Sequence, residues 1–550
     1  MSVGLSCCRL KFWLSIPVHL RLFAAILLAF TLLGGCSRHA TPSAASDQVL
    51  RYPIIQEPST LDPVRIPDIY TAELLQNLYE GLVALDANSR PFPQLASKWE
   101  ISPDGKTYTF HIRTEAKFHK PFARPVTAED VKYSLERALN PDSKSPTAAN
   151  YLGGILGAAE VAAGKTKSLA GLKVIDKQTI SVTVTKPMGY FLGAFAYPTA
   201  NVVCKEAIEK NGGKLDEKAA IGTGPFVLAE YRRGNKLIFE ANPDYYLGKP
   251  KLSRIERPIV LDPETAHLMY ENGEVDAILP ALTSFANDQT NPKLKAESVL
   301  IRQANVLYLA FQERVQPVFK DKRVRQAFAR SIDREELSRI AYKGTSPSAY
   351  SFIPPGVAGE NPSMRVNSYD PDAARKLLAD AGFAGGKGFP QVSLHILEHE
   401  PQWAALGQVI RDQVRAGLGI TITLQEHEAA TFWDESGHLE RYPMFLSGWV
   451  ADYPDAQDFL STLLRTGAKI NHLSYSNPEF DALCDRADAE VDTAKRVPLY
   501  QRADQIAMED AGLIPLIAFR QPMLVKTYVK DSHYNLLIFF LPHLKTRIQR

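Results

Sequence analysis

The sequence predicts a mixed α/β protein built from more than one domain, and three observations predict it. The chain has 550 residues, more than a single compact core accommodates. Its 45% apolar and 23% charged content is ordinary for globular domains. Segments of period two alternate along the chain with segments of helical period, and no internal repeat of fixed length is present.

The elements follow in order. Residues 48–52 read as an opening strand. Over 72–82, Leu74, Leu75, Leu78 and Tyr79 recur at helical spacing. Pro103-Asp104-Gly105 is a tight turn ahead of 107–113, where Tyr108, Phe110 and Ile112 share one face of a strand. Thr127 caps a helix with Glu129 and Asp130 in its first turn, and Val131, Leu135, Ala138 and Leu139 form its apolar stripe. That helix stops at Asn140-Pro141. Strand-like alternation returns at 172–184, and 225–240 reads as a hairpin turning at Arg233-Gly234-Asn235. Helices are predicted over 321–341, over 370–381 with a stop at Gly382, and over 403–416 with a stop at Gly417. A long helical region over 480–508 is interrupted at Pro498. Strands are predicted at 392–397, 420–424 and 513–519.

The N-terminus reads as an export signal. Arg9, Lys11 and Arg21 precede an apolar run from Leu22 to Leu33, which ends in Leu33-Gly34-Gly35-Cys36. At about 12 residues the run falls short of the roughly 20 a membrane span needs. Small residues directly before a Cys resemble the bacterial lipobox, in which the thiol is acylated and becomes the first mature residue. An ordinary signal with a chance Cys is the alternative. Residues 37–47, rich in Ser, Ala, Thr and Pro, suit a flexible tether. Removing 1–35 takes basic residues and no acids, and leaves a near-neutral body without a basic run, which excludes the electrostatic footprint of a nucleic-acid binder. Of the five cysteines only Cys204 and Cys484 lie beyond Cys36, so no disulfide framework is expected.

A series of motifs resembles the family-5 extracellular solute-binding proteins, the oligopeptide- and dipeptide-binding subunits of ABC importers. In family order they are Asn77-Leu-Tyr-Glu-Gly-Leu82, Pro93-Gln-Leu-Ala-Ser-Lys-Trp99 and Ser102-Pro-Asp-Gly-Lys-Thr-Tyr108, with Phe110 to Arg113. Val126-Thr-Ala-Glu-Asp-Val131, with Ser134 and Arg137, follows. Then come Gly222-Thr-Gly-Pro-Phe226, Asn242-Pro-Asp-Tyr-Tyr246, Val324-Arg-Gln-Ala-Phe328, Ile332-Asp-Arg334, Tyr369 to Ala374, Ala381-Gly-Phe383 and Gly448-Trp-Val-Ala-Asp-Tyr453. The resemblance implies a two-lobed periplasmic-binding-protein fold with a hinge and an extra inserted domain. It implies a signal peptide at 1–35 and a tether at 36–48. One lobe comprises 49–92, 220–305 and 520–550, the inserted domain spans 93–219, and the other lobe spans 306–519. The hinge falls near Asn305 and Phe519.

The same resemblance implies a monomeric peptide receptor outside the cytoplasm, with permease and ATPase as separate chains and no cofactor. Asp452 is expected to meet the ligand's α-ammonium; its alternative is a turn aspartate before Tyr453-Pro454. Gly448 and Val450 are expected to bond the peptide main chain, as in β-augmentation. Ile69, in the stretch Pro67-Asp-Ile-Tyr70, is expected on a second ligand-side strand. Trp449, Tyr151 and Tyr308 are candidate pocket walls, with plain core aromatics as the alternative. One departure stands out. Some peptide-binding relatives carry a basic residue shortly before the Gly-Trp, and here Met444-Phe-Leu-Ser447 carries no charge. Family members outside the peptide group bind nickel, haem, glycosides or opines, which is the rival expectation.

Two motifs suggest other chemistry. Gly222-Thr-Gly-Pro225 lacks the Gly-Lys-Ser/Thr of a phosphate loop. His395-Ile-Leu-Glu398-His399 matches the H-x-x-E-H zinc-peptidase pattern. That chemistry needs a helix, and the alternation of Val392, Leu394 and Ile396 predicts a strand, on which the two histidines stand roughly 13 Å apart. Glu426-His427-Glu428 reads as a solvated loop. The lipobox yields the first prediction: Cys36→Ser moves the protein from the membrane to the soluble envelope fraction, because each buried CH₂ of a lipid chain contributes about 0.8 kcal/mol of anchoring. A mutant that fractionates with the membrane as the parent does rules out lipid attachment at Cys36.

Overall fold

A computed structural model describes residues 48–433, 438–537 and 543–550. The export signal, Cys36 and the tether up to Asp47 lie outside these residues. β1 (Val49–Arg51) is the expected opening strand. The helix expected over 72–82 starts earlier and stops sooner: α1 is Ile69–Leu75, begun by the Asp68 side chain, which accepts from the Thr71 N–H. Leu78 and Tyr79 are fully buried in the turn that follows, so packing and not helix continuation sets their spacing. Ile69 is therefore the first residue of a helix and not part of a strand.

β2 (Ala96–Ile101), β3 (Thr107–Ile112), β4 (Leu172–Asp176) and β5 (Thr179–Thr183) form a four-stranded sheet in the order β2-β3-β5-β4. α2 (Ala128–Leu139) packs on it. Thr127 and Asp130 make the capping box at its start, and Asn140 ends it. A second four-stranded sheet has the order β1-β8-β7-β6, with β6 (Phe226–Arg232), β7 (Lys236–Ala241) and β8 (Arg254–Pro258).

The third sheet has six strands. β9 (Ala277–Ile278) and β10 (Ser298–Phe311) precede α3 (Lys322–Ser331) and α4 (Arg334–Ala341). The single helix expected over 321–341 is broken because Ile332 is extended and Asp333 caps a new helix. α5 (Pro371–Asp380) ends as expected before Gly382, whose φ is +96°. β11 (Val392–Leu397) is followed by α6 (Pro401–Leu418), which runs past Gly417 to Gly419 in the left-handed region. Gly417 instead allows close packing, since a Cβ there would stand 3.2 Å from Ser331 Cβ. β12 (Ile422–His427) and β13 (Met444–Val450) lead to α7 (Gln457–Leu463). α8 (Pro478–Ala489) and α9 (Thr493–Glu509) divide at 490–492, where Asp492 caps α9; Pro498 lies inside α9 and does not interrupt it. β14 (Ile514–Val525) is longer than expected. The strand order is β9-β14-β10-β13-β11-β12.

β10 and β14 pair antiparallel and carry the chain between cores. Ile301 and Met523 belong to a core shared with β1, α1 and β6–β8. Further along the same strands, Val306 and Tyr308 enter a core on one face of the six-stranded sheet, and Leu307 and Leu309 enter a core on the other. Residues between Val64 and Ala219 build another core, which Tyr453 joins from outside. Cys204 and Cys484 are both buried and unbridged.

Three of the sequence motifs meet at Glu80. Its carboxylate accepts from Tyr245 Oη (2.6 Å), Tyr246 Oη (3.0 Å), Thr223 Oγ1 (2.8 Å) and Gln94 Nε2 (3.1 Å). Gly222 and Gly224 make room for this: a Cβ on Gly222 would lie 1.8 Å from Leu78 O. Burial pushes the Glu80 carboxyl up to about 7, against a usual 4.5. The folded protein thus holds a proton that the unfolded chain has released, so stability falls as pH rises from about 4.5 to 7. Glu80→Gln keeps the shape and removes this penalty. Between pH 5 and pH 8 the mutant gains about 2 kcal/mol relative to wild type, read by chemical denaturation. Parallel stability profiles for the two proteins contradict the assignment.

Candidate functional site

A cleft of about 410 Å³ opens over the six-stranded sheet, where β10 and β14 pass from one core to the next. Its floor is formed by Asn305 and Leu307 of β10, Gly448 and Val450 of β13, and Phe519 to Pro522 of β14. Its walls include Leu282, Tyr342, Leu397, Glu400, Trp403 and Trp433. Alternation along a strand decides which expected residues reach it. Gly448 and Val450 do. A Cβ on Gly448 would stand 2.7 Å from Leu307 Cδ2, so the glycine keeps the floor open.

Trp449 and Tyr308 face the opposite way. Tyr308 is buried behind the sheet with its ring edge-on to Phe352 at 5.3 Å, and Trp449 packs against the same core. Their expected place as cleft walls is corrected by the parity of their strands. Trp449 instead donates from Nε1 to Asp458 Oδ2 at 3.0 Å.

β13 has one closed edge and one open edge. It pairs with β10 from Met444 to Val450, but with β11 only at Met444 and Phe445, although β11 runs on to Leu397. The outer edge of 446–450 therefore keeps main-chain groups that no neighbouring strand bonds.

Asp452 follows this edge. Its main-chain N–H donates to Asp458 Oδ2 (2.8 Å), and its Oδ1 accepts from Tyr151 Oη (3.0 Å). Tyr151 is buried and stacks on Tyr197 at 3.8 Å, so it holds Asp452 from behind rather than lining the cleft. Tyr453 anchors the segment by stacking on Tyr190 at 5.4 Å. Burial raises the carboxyl of Asp452, against the Tyr151 hydrogen bond. Asp458 is raised well above the usual range by burial and by the charge of Asp452. Asp455, between them, is neutralised by Arg496 at 2.6 Å. Among the described residues neither Asp452 nor Asp458 has a basic partner. Asp458 escaped sequence reasoning, although acids at 452, 455 and 458 recur every third residue.

Ile69 begins α1. The neighbouring Tyr70 phenol is raised by burial, then by Asp68, Glu73 and Glu400. This places the start of α1 within electrostatic reach of the Glu400 wall. Glu400 is itself raised by burial. Asn305 Oδ1 is a buried acceptor with no donor among the described residues. Asn305, Glu400, Trp403 and Arg520 were not singled out as ligand residues; an Arg just past the apolar run 513–519 was the readable signal.

The H-x-x-E-H residues divide. His395 is within β11, its Nδ1 2.8 Å from His427 Nε2 and its Nε2 2.8 Å from Ser393 Oγ. Burial and His427 lower it to about 4, so the ring is neutral. His399 is an exposed turn residue at φ +61°. Glu426 and His427 lie in β12, so the expected loop there is a strand. Among the described residues no helix is long and apolar enough to cross a membrane.

Cores joined through paired strands, a cleft at the crossing and an open strand edge beside a buried acid define a two-lobed α/β solute-binding receptor. The chain belongs to the bacterial extracellular solute-binding proteins, family 5, whose middle-region model matches residues 90–471. It is 28% identical over 485 residues to the periplasmic oligopeptide-binding protein OppA of Escherichia coli K12, covering 86% of this chain and 87% of that protein. It is 30% identical over 505 residues to the probable deoxycholate-binding periplasmic protein YgiS of the same organism, covering 89% and 91%. Among solved structures it is similar to the periplasmic murein tripeptide binding protein MppA in its unliganded open form, with a TM-score of 0.81, 25% identity, and 92% and 98% of the two chains covered.

The site geometry predicts opposite effects for two substitutions at Asp458. Asp458→Asn keeps an acceptor and removes the repulsion with Asp452, so the unliganded protein melts higher than wild type at pH 8. The advantage fades as the pH falls and the raised carboxyls take up protons. Asp458→Ala leaves the Trp449 and Asp452 N–H groups unpaired and costs about 1–3 kcal/mol. Equal melting of Asp458→Asn and wild type at both pH values contradicts the repulsion.

Proposed function

We propose that this chain is the extracytoplasmic substrate-binding subunit of an ABC-type peptide importer. It captures oligopeptides in a closing cleft and delivers them to a membrane permease whose ATPase is a separate chain. It acts as a monomeric receptor and not as an enzyme, held at the membrane by a lipid on Cys36. The observation that carries the reading is Asp452, a half-buried carboxylate without a basic partner among the described residues, at the end of an open strand edge. A buried carboxylate left in this state is costly until a cation completes it, and a peptide's α-ammonium is such a cation.

The other features support the same ligand. The open edge at 446–450 offers main-chain groups to an extended chain, which explains tolerance of many side chains. Asn305 Oδ1 lacks a donor that a peptide N–H supplies. Relatives named for oligopeptide and tripeptide binding share most of the chain. Closure uses the division expected from the sequence: 49–92, 220–305 and 520–550 in one lobe, 93–219 inserted, and 306–519 in the other. The crossings near Asn305 and Phe519 serve as the hinge. The lipid anchor rests on Leu33-Gly34-Gly35-Cys36.

Calorimetry on four combinations tests the reading: wild type or Asp452→Asn, each with a free or N-acetylated oligopeptide. Removing one partner of a buried ion pair costs about 3–5 kcal/mol, a hundredfold or more in affinity. In Asp452→Asn, acetylation should matter far less than in wild type, because both changes cut the same contact. Fully additive losses place Asp452 away from the ammonium, and no loss from Asp452→Asn points to a non-peptide ligand.

A further inference from the structure

Arg520 is the basic side chain that lines the cleft, and Glu400 is the acidic one. Buried arginines elsewhere each have an acid or a carbonyl as partner. Arg257 meets Glu73 at 3.0 Å and Tyr52 O at 2.7 Å. Arg325 meets Glu313 at 2.9 Å, Arg334 meets Pro515 O at 2.7 Å, and Arg496 meets Asp455 at 2.6 Å. Arg520 is half-buried, yet among the described residues its guanidinium has no carboxylate within 4.0 Å and no hydrogen-bond acceptor. Glu400 forms no ion pair with it. The two opposite charges are held apart instead of cancelling each other.

The base of Arg520 is fixed. Its main-chain N–H donates to Ser346 Oγ at 3.0 Å, and its residue pairs with Arg302 across β14 and β10. The side chain thus leaves a rigid strand and enters the cleft with its planar set of donors unmet. A guanidinium in that state favours an anion that accepts two parallel N–H bonds, as a carboxylate does.

We propose that Arg520 binds the C-terminal carboxylate of the peptide ligand and makes the site selective for short peptides with a free C-terminus. The proposal rests on the peptide reading of the cleft. It also supplies the anion partner that the uncharged stretch Met444-Phe-Leu-Ser447 lacks. The sheet register gives a scale. Ala451 N–H bonds Ala304 O, so Asp452 follows β13 on one flank of β10, and Arg520 lies opposite Arg302 on the other flank. Across the sheet those two flanks are two strand spacings apart, about 10 Å at the backbone, which is the run of about three extended residues. The aromatic rings of Trp403 and Trp433 and the alkyl groups of Leu282 and Val450 line the same cleft as Arg520.

The test uses the full mature chain with two pools of random tripeptides, one with free C-termini and one with C-terminal amides. Bound peptide is released and measured by mass spectrometry, for wild type, Arg520→Gln and Arg520→Lys. Wild type is expected to retain the free-acid pool at least tenfold over the amide pool. Arg520→Gln should lose that preference while melting as wild type does, because its side chain makes no contact to lose. Arg520→Lys should restore part of the preference through charge alone. Equal retention of both pools by wild type, or unchanged preference in Arg520→Gln, overturns the role of Arg520 and leaves the peptide reading standing. Retention of neither pool by wild type overturns the peptide reading and the role of Arg520 with it.

Discussion

The architecture depends on one constraint, the antiparallel pairing of β10 with β14. Their hydrogen-bonded ladder is the backbone tie between the core around Ile301 and Met523 and the cores around Val306 and Ile517. A sheet ladder tolerates twist but not separation, so the two sides can rotate about it without coming apart. The register slips between Arg302 and Val306, where three residues of β10 face one of β14. Slips of this kind bend a strand and re-aim its side chains. Asn305 lies in that slip and Arg520 beside it, and both line the cleft. The irregularity that loosens the ladder also places polar groups at the crossing.

The protein treats its buried acids in two ways. Glu73, Asp130 and Asp455 each meet an arginine. Among the described residues Glu80 has no cation but collects four donors. These groups are satisfied within the chain, and they tie segments distant in sequence. Asp452 and Asp458 share three donors between them and repel each other. Packing alone gives no reason to keep two such carboxyls together, because apolar residues of similar volume are usually no less stable there. An arrangement that is unfavourable in the empty protein and is relieved by a cation converts stored repulsion into binding energy.

Much of the fold was legible because period and caps are local signals. Thr127 with Asp130, Asp370 with Gly382, and the 225–240 hairpin each declare themselves within a few residues. The misread boundaries have local causes of another kind. The break at Ile332-Asp333 and the break at 490–492 depend on an Asp that can cap a helix or ride within one, and tertiary packing chose the cap. Gly417 looked like a stop because glycine often is one, but here it permits a close helix contact with Ser331. The site was legible only in part. Gly448, Val450 and Asp452 sit on one continuous motif, whereas Trp449 and Tyr308 needed the strand parity to be assigned to a face. Asn305, Glu400 and Arg520 come from separate strands and a helix start, and no sequence pattern joins residues that only the sheet brings together. The family motifs around Glu80, meanwhile, are conspicuous for a structural reason: they are the two glycines and the tyrosines that bury one carboxylate.

The distribution of charge along the proposed ligand path bears on what the receptor can discriminate. A strand edge reads no side chain, since it bonds groups that every peptide has. Two charged ends, one at Asp452 and one at Arg520, read length and the state of the termini. The cleft presents rings and alkyl groups together with one carboxyl, Glu400, which burial raises above its usual range. A neutral or apolar middle residue loses little there, and an acidic one meets both a poor solvent and a like charge. A basic residue gains a partner in Glu400. The proposed binding mode therefore favours short peptides, with tolerance for apolar and basic interior residues and rejection of acidic ones. That selectivity arises from three ionisable side chains and one open edge, without any pocket shaped to a particular side chain.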